Sequence, residues 1–142
     1  MELKIKPFDE LTTRELYEIA RARTQFFLME QRIVCQDLDR VDYDALHCFL
    51  EEDGKLLAYL RAYHTEDGVK IGRVLSLTHS IGHGTYLMER SLPEIQKRWH
   101  GERVLLHAQT HAKGFYEKFG FTVTSPEFLE AGVPHVVMEL TQ

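Results

Sequence analysis

The sequence predicts a single α/β (α+β) domain, with a mixed sheet of about six to seven strands and helices on both faces. Three observations predict this class: Asp-Gly turns between strand-like segments, apolar stripes at helical spacing, and a late strand–helix–strand order. A chain of 142 residues with 44% hydrophobic residues has the size of one domain. Such a chain buries about two thirds of its unfolded surface. We therefore expect residues 1–142 to form one unit with a single functional site.

The N-terminal segment predicts an edge strand followed by a helix. Two apolar residues alternate with lysines before Pro7, which suits a short strand at a sheet edge. Thr12 and Glu15 have the spacing of a capping box, which predicts a helix N-terminus. The apolar residues of the two elements are Leu3, Ile5, Leu16, Ile19, Ala20, Phe26 and Phe27.

The helical pattern stops between residues 28 and 44, where the stretch 36–44 carries four aspartates in a loop or short helical turns. We expect a solvated acidic loop, because runs of like charge usually face solvent. If the carboxylates faced a binding cleft instead, they would favour a cationic ligand over an acidic one.

Three strand candidates form an antiparallel meander. Residues 45–51 and 55–64 are joined by Glu52-Asp53-Gly54, whose Asp-Gly pair is a strong hairpin signal. A second Asp-Gly turn ends at Gly68. Residues 69–77 are therefore the third strand of the meander.

The second half of the chain alternates helices and strands. Apolar residues after Gly82 and Gly84 trace a helical face up to Trp99. Pro93 lies within that face and predicts a kink, or a restart capped by Ser91. The later elements are a buried strand at 103–108, a helix at 110–119 ending at Gly120, and strands at 121–123 and 134–140.

The junction between the strand at 69–77 and the following helix indicates an anion site. The loop from His79 to Gly84 delivers the strand into a helix N-terminus, where N–H groups and the helix dipole suit a pyrophosphate. Two glycines of this kind are equally typical of a plain turn. The segment alone leaves both interpretations open.

A second motif lies on the predicted late helix, where Phe115-Tyr116 is followed by Gly120-Phe121. With this aromatic-Tyr-x-x-x-Gly-Phe pattern the sequence resembles the GNAT superfamily of N-acetyltransferases, and within it the ElaA-like branch. The resemblance spans nearly the whole chain and implies a twisted, mostly antiparallel sheet. The other segments that carry it are Glu30-Gln31, Gln36-Asp37-Leu38-Asp39, His47, Ile71-Gly72-Arg73-Val74, Ala108-Gln109, Gly132-Val133-Pro134-His135 and Met138.

The resemblance implies how acetyl-coenzyme A is bound. Backbone groups of residues 74–76 would pair with the pantetheine arm, and amides of residues 82–85 would hold the pyrophosphate. Tyr116 would lie beside the thioester, where a phenol can protonate the departing thiolate as general acid. The alternative for Tyr116 is a core residue packed between aromatic neighbours. The implied coenzyme contacts are Val74, Leu75, Ser76, His79, Gly82, His83, Gly84, Thr85, Phe115 and Tyr116.

The glycine loop departs from the family pattern at its start. The family usually has Gln or Arg where His79 stands, and the stretch 73–82 is slightly short. Main-chain N–H groups carry most of the phosphate binding, so the departure bears on affinity and loop shape. His79 itself can replace the lost polar contact.

The sequence does not fix which group takes the proton of the acceptor amine. Glu30 and His111 are the first choices, because Glu30 follows the first helix and His111 lies on the late helix. Asp37, His47, His135 and a water relay are alternatives. At each of these residues a hydrogen-bonded structural role competes with catalysis.

Metal and thiol chemistry are not expected. The eight histidines include two pairs at four-residue spacing, but the second pair lacks the glutamate of a metalloprotease helix. The two cysteines, Cys35 and Cys48, lack a Cys-x-x-Cys spacing, which indicates reduced, buried thiols. The histidine pairs are His79/His83 and His107/His111.

We therefore interpret the chain as an N-acetyltransferase that moves acetyl from acetyl-coenzyme A to a primary amine of a small molecule or peptide, by direct attack in a ternary complex. The alternative is a coenzyme A-binding sensor or interaction module without turnover, and a metal-dependent hydrolase ranks third. The net charge of −5 disfavours nucleic-acid partners, and no stretch has the apolar length of a membrane span. We expect a cytoplasmic monomer or homodimer.

Overall fold

The computed structural model describes residues 1–77 and 82–141. In these ranges, none of the helices has the length and apolar character that a membrane span requires. The strands are β1 (Glu2–Pro7), β2 (Leu46–Glu52), β3 (Lys55–Thr65), β4 (Gly68–Ser76), β5 (Val104–Gln109), β6 (Phe121–Val123), β7 (Phe128–Glu130) and β8 (Val133–Leu140). The helices are α1 (Thr13–Arg23), a π-helix (Thr24–Glu30), α2 (His83–Arg98) and α3 (Lys113–Glu117).

The strands form one sheet in the order β1-β2-β3-β4-β5-β8-β6, with β7 paired to β8 outside this path. Among the described residues, β4 and β5 are the one parallel pair, because α2 connects them as a crossover. The predicted class, a mixed and mostly antiparallel sheet with helices on both faces, is confirmed. The described residues form eight strands rather than six or seven, because three-residue β7 carries no alternation signal.

Alternate strand residues supply an apolar layer on each face of the sheet. In β2, Cys48 and Leu50 belong to the core that packs against α2, whereas Phe49 between them packs on the other face. There α1 covers the sheet with Ile19 and Ala22, which are 1% and 2% exposed. The two layers therefore hold the sheet between α1 on one side and α2 with α3 on the other.

The first helix begins as predicted and ends differently. Thr12 and Glu15 form the predicted capping box at the start of α1. The α-helix ends at Arg23, and the chain continues as the π-helix. Phe26 and Phe27, predicted to extend the helical face, therefore lie in the wider π-helical turns.

Helix α2 runs without a break through Pro93, so the predicted restart capped by Ser91 is wrong. The carbonyl that Pro93 leaves without an N–H donor belongs to Glu89, on the exposed side of the helix, where water can donate instead. The helix predicted over 110–119 is shorter. It consists of a 3-10 turn, Thr110–Ala112, followed by α3.

The carboxylate of Glu15 ties α1 to the edge strand β1. It accepts hydrogen bonds at 2.9 Å from the Thr12 amide and from the ammonium groups of Lys4 and Lys6. Burial alone would raise the pKa of this carboxyl, but the three donors outweigh burial and lower the pKa to about 2.

Glu15→Gln is expected to lower the free energy of unfolding at neutral pH by about 1–3 kcal/mol, because three donors lose a charged acceptor. A carboxyl with a lowered pKa stabilises the fold above its ordinary value of 4.5, and this contribution is lost as pH falls towards 2. Urea unfolding across that range measures the effect. The exposed Glu10→Gln serves as control, and a Glu15→Gln deficit that stayed constant with pH would contradict the assignment.

Candidate active site

A cavity of about 760 Å³ opens where β4 and β5 separate. The two strands pair only over residues 69–71 and 104–106, although β4 continues to Ser76 and β5 to Gln109. Beyond residue 71, β4 has β3 on one side and the cavity on the other. The main chain of residues 72–75 therefore presents a strand edge to the cavity that no described strand covers.

A β-bulge in β4 accounts for the separation. Arg61 of β3 lies opposite Gly72 and Tyr59 lies opposite Leu75, so β4 has one more residue than β3 between these pairs. Arg73, inside the bulge, has a φ of +52°, a left-handed conformation that is costly for a residue with a side chain. A bulge bends its strand and increases the local twist, which turns the end of β4 away from β5.

The N-terminus of α2 forms one wall of the cavity. Gly82 has a φ of +80° and precedes His83, the first residue of the helix. No side chain of the described residues caps this end, and the amides of Gly84 and Thr85 have no carbonyl partner within the helix. A Cβ on Gly84 would lie 3.5 Å from the Phe115 ring. This wall offers N–H groups and the positive end of a helix dipole.

The implied coenzyme contacts that fall within the described residues all line this one cavity. His79 lies outside the described residues. The fold thus brings together a strand edge, a helix N-terminus and an aromatic motif that are separated in the sequence. The lining contacts are Val74, Leu75, Ser76, Gly82, His83, Gly84, Thr85, Phe115 and Tyr116.

Tyr116 lies on α3 with its ring packed against Phe115 and Phe121, at centroid distances of 5.2 Å and 6.2 Å. The residue is 9% exposed, and burial raises the pKa of its phenol well above the usual range. None of the described residues forms a hydrogen bond with its hydroxyl, although the side chain lines the cavity. The phenol is therefore a protonated donor that packing holds in place.

The acidic stretch 36–44 is not a solvated loop, and that expectation is wrong for three of its four aspartates. These three form the Arg–Asp cluster with arginines from α1, β3 and β4. Buried guanidinium groups require carboxylate partners, and here three charges of each sign cancel. The fourth aspartate, Asp44, is exposed. The ion pairs are Arg23 with Asp37 (3.0 Å) and Asp42 (2.6 Å), Arg61 with Asp39 (2.8 Å) and Asp42 (3.0 Å), and Arg73 with Asp37 (2.8 Å) and Asp39 (3.3 Å).

His47 belongs to the core next to this cluster and does not line the cavity. Its Nε2 lies 2.9 Å from the Asp42 carbonyl and its Nδ1 lies 2.7 Å from the Tyr59 hydroxyl. A carbonyl only accepts, so Nε2 carries the hydrogen and Nδ1 accepts from the phenol. Burial lowers the pKa of the imidazole, which keeps the ring neutral. These contacts give His47 a structural role.

The cavity wall formed by β5, β7 and β8 carries a second group of polar side chains. Nδ1 of His107 lies 2.8 Å from Oε1 of Glu130, and Nε2 of His135 lies 3.8 Å from Oε2. The hydrogen bond from His107 is the main cause that lowers the pKa of Glu130. Lys70 lines the same end of the cavity. Sequence reasoning missed Glu130 because β7 has no strand signal, and it considered His107 only as a metal ligand.

The two first-choice bases lie apart. His111 lines the cavity, with Nε2 at 2.8 Å from Oε1 of Gln109, and Gln109 in turn donates to Gln31 at 3.0 Å. Glu30 is exposed on the π-helix and lines a separate surface depression beside α1. The fold therefore does not bring Glu30 together with Tyr116.

The described side chains considered for metal and thiol chemistry are divided between the core and the cavity wall. Within residues 1–77 and 82–141, no group of three or more His, Cys, Asp or Glu side chains is arranged to hold a metal ion. Cys48 is buried as expected. Cys35 is exposed and lines the cavity, so the expectation that both thiols are buried is wrong for this residue. It is exposed because it lies outside the sheet, in the stretch just before Asp37 of the Arg–Asp cluster.

Comparison with known proteins decides the family. Residues 17–142 match the family model for the acetyltransferase (GNAT) domain. The chain belongs to the GNAT acetyltransferase family. The resemblance stated from the sequence is thereby confirmed, and with it membership of a family of acyltransferases.

Two solved GNAT structures are similar over nearly the whole chain. An acyl-CoA N-acyltransferase from Pseudomonas aeruginosa has a TM-score of 0.93 at 36% identity, over 99% of this chain and 100% of that chain. ElaA from Escherichia coli has a TM-score of 0.91 at 31% identity, over 99% of each chain, which confirms the predicted likeness to ElaA. The PaiA N-acetyltransferase of Thermoplasma acidophilum in complex with coenzyme A, at 16% identity and a TM-score of 0.67 over 100% of both chains, shows the fold alone.

Asp42→Asn is expected to lower the free energy of unfolding by about 3–5 kcal/mol. Both Arg23 and Arg61 form ion pairs with the Asp42 carboxylate, and the amide that replaces it carries no charge. Denaturant unfolding at neutral pH measures the loss. Asp44→Asn, in the same 3-10 turn as Asp42 (Val41–Asp44), removes an exposed carboxylate and is expected to change stability by less than about 0.5 kcal/mol. Equal stability of the two variants would contradict a structural role for the Arg–Asp cluster.

Proposed function

We propose that this GNAT protein transfers an acetyl group from acetyl-coenzyme A to a primary amine, by direct attack while both substrates are bound. One observation carries the proposal: the strand edge of β4, the N-terminus of α2 with its exposed amides and the phenol of Tyr116 share a single cavity. No one of these features indicates acyl transfer by itself. Together they suit a long ligand with phosphates at one end and a reactive thioester at the other.

The cavity residues fit coenzyme A at both ends. Main-chain groups of Val74 and Leu75 can pair with the amides of the pantetheine arm as a neighbouring strand would. The amides of Gly84 and Thr85 can donate to pyrophosphate oxygens at the helix N-terminus. When bound, acetyl-coenzyme A supplies an activated acetyl group. The PaiA structure contains coenzyme A, which supports the same class of ligand for this fold.

Tyr116 acts in this proposal as the general acid. Burial keeps its phenol protonated at neutral pH, so it can give a proton to the thiolate that leaves. Aromatic packing by Phe115 and Phe121 fixes the ring at the cavity wall. A coenzyme A sensor without turnover would need the same coenzyme contacts but no acid, so the donor in the cavity wall favours the enzyme.

The acceptor in this proposal is an amine on a small molecule or peptide. It would enter beside the stretch 31–39 and the β7–β8 turn, which line the cavity away from α2. The Arg–Asp cluster is neutral in sum, and Asp44 does not line the cavity, so the four aspartates of the stretch 36–44 do not by themselves select a cationic acceptor.

Gly82→Val is expected to weaken acetyl-coenzyme A binding by about tenfold or more, because a β-branched residue at a φ of +80° distorts the start of α2. Isothermal titration calorimetry measures the affinity. Gly101→Val is the matched control, because Gly101 has a φ of +76° in equally open space beyond the other end of α2. The control should bind normally. Weakening in both variants, or in neither, would contradict coenzyme binding at the N-terminus of α2.

Tyr116→Phe is expected to slow single-turnover acetyl transfer by about 10²-fold while coenzyme affinity is kept, because the ring stays and the donor is lost. Thiol release with an active primary amine measures the rate. Tyr86→Phe, which removes a phenol that does not line the cavity, should transfer at the wild-type rate. Full single-turnover activity of Tyr116→Phe across pH would show that the phenol is dispensable.

A further inference from the structure

We propose that His107, oriented by Glu130, takes the proton that the acceptor amine must lose before it attacks. The inference rests on the proposed function, because it assigns a residue to one step of that reaction. Glu30 lies outside the cavity, and the imidazole of His111 contacts the Gln109 amide rather than a carboxylate that could stabilise an imidazolium. Neither first choice from the sequence therefore suits this step, whereas His107 and Glu130 form a carboxylate–imidazole pair in the cavity wall.

The contact between the two side chains determines which nitrogen of His107 can accept a proton. A carboxylate only accepts, so Nδ1, at 2.8 Å from Oε1 of Glu130, carries the hydrogen. In the neutral ring the lone pair is then on Nε2. No described residue forms a hydrogen bond with Nε2, and the side chain is 25% exposed at the cavity wall. The imidazole therefore has one basic nitrogen available to a ligand.

Neighbouring rings hold this pair in place. Phe128 packs edge-on against His107 at a centroid distance of 5.2 Å and stacks with His135 at 6.1 Å. Nδ1 of His135 donates to the Val133 carbonyl at 2.7 Å, so this ring is also fixed. The hydrogen bond from His107 lowers the pKa of Glu130, which is ionised at neutral pH and can stabilise an imidazolium beside it.

Strand alternation separates His107 from the proposed general acid. Leu106 and Ala108, on either side of His107, belong to the core that contains Tyr116, so the imidazole points to the opposite face of the sheet. The cavity reaches both faces because β4 and β5 part directly after Leu106. An amine that enters the cavity from the face of the sheet that carries His107 therefore reaches the base first, and Tyr116 lies deeper, towards the other face. Acid and base do not exchange protons directly.

Charged and titratable groups from several elements line the cavity together with His107. Lys70 lies on β4, Glu130 on β7, His135 on β8 and His111 in the turn after β5, and all line the cavity. The ionised Glu130 favours an imidazolium, whereas the cation of Lys70 opposes a second positive charge. Of these groups, Glu130 is in direct hydrogen-bond contact with His107.

The protons balance with one base and one acid. An ammonium acceptor, R–NH₃⁺, gives one proton to Nε2 of His107, which passes it to water. The resulting amine nitrogen bonds to the acetyl carbon and the carbon–sulfur bond breaks. Tyr116 donates its proton to the departing sulfur. The nitrogen then loses a second proton, which restores the phenol of Tyr116. The products are the N-acetylated amine, the coenzyme A thiol and one proton in solution.

The test compares acetyl transfer by His107→Gln and Glu130→Gln across pH. Thiol release is measured with acetyl-coenzyme A and the most active member of a panel of alkyl amines, amino acids and a lysine peptide. His107→Gln is expected to lower kcat by about 10²-fold near neutral pH, with partial recovery at high pH, where the amine arrives deprotonated. In Glu130→Gln the imidazole loses its negative neighbour, so the acid limb of the kcat/KM profile moves to lower pH.

His64→Gln is the matched control, because His64 forms an equivalent pair with Glu102 at 2.8 Å outside the cavity. Its rate and pH profile should equal those of the wild type. Nitrogen-15 NMR of the imidazoles gives a readout without turnover. The wild type should show His107 in the tautomer protonated at Nδ1, and that signal should respond when the amine is added.

The outcomes separate this inference from the proposed function. A folded His107→Gln variant with the wild-type rate and pH profile would overturn the inference and leave the acetyltransferase proposal standing. If His107→Gln does not fold, Glu130→Gln provides the test. An acid limb of its kcat/KM profile that equals that of the wild type would overturn the inference. If the wild type releases thiol with no amine in the panel, the proposed function fails, and the inference fails with it.

Discussion

The β-bulge at Arg73 is the constraint on which the site depends. It limits the parallel pairing of β4 and β5 to residues 69–71 and 104–106, and beyond that point the sheet is open. The opening places the edge of β4, the start of α2 and the end of β5 around one cavity. A left-handed conformation at a residue with a side chain costs about 1–3 kcal/mol. Ion pairs from Arg73 to Asp37 and Asp39 hold the strained residue in place.

The Arg–Asp cluster links the bulge to α1 and to the neighbouring strand β3. Arg23 reaches it from α1 and Arg61 from β3, and these guanidinium groups are 1% and 2% exposed. Since every carboxylate in the cluster is paired with arginines, the negative charges of these aspartates are neutralised within the fold. The polar character of the cavity beyond Tyr116 is set instead by Lys70 and Glu130, together with the histidines of β5 and β8.

Local sequence signals predicted the parts of the fold whose causes lie within a few residues, such as the capping box of α1 and the Asp-Gly turn between β2 and β3. The Arg–Asp cluster was not predictable in this way, because partners such as Arg73 and Asp37 are far apart in the chain and charge pattern alone favours solvent. The strand that carries Glu130 was missed because Phe128-Leu129-Glu130 does not alternate apolar and polar residues as the equally short β6 does. The residues that line the cavity at the start of α2 and at Tyr116 were named from a family motif, and they meet only through the fold.

The central claim is that the opening between β4 and β5 is the place where coenzyme A binds. A crystal structure of the protein with coenzyme A tests it most directly. The account predicts a pantetheine arm along residues 74–76 of β4, a pyrophosphate at the amides of Gly84 and Thr85, and a sulfur atom facing Tyr116. Coenzyme A bound outside this opening, or with its sulfur away from Tyr116, would contradict the account.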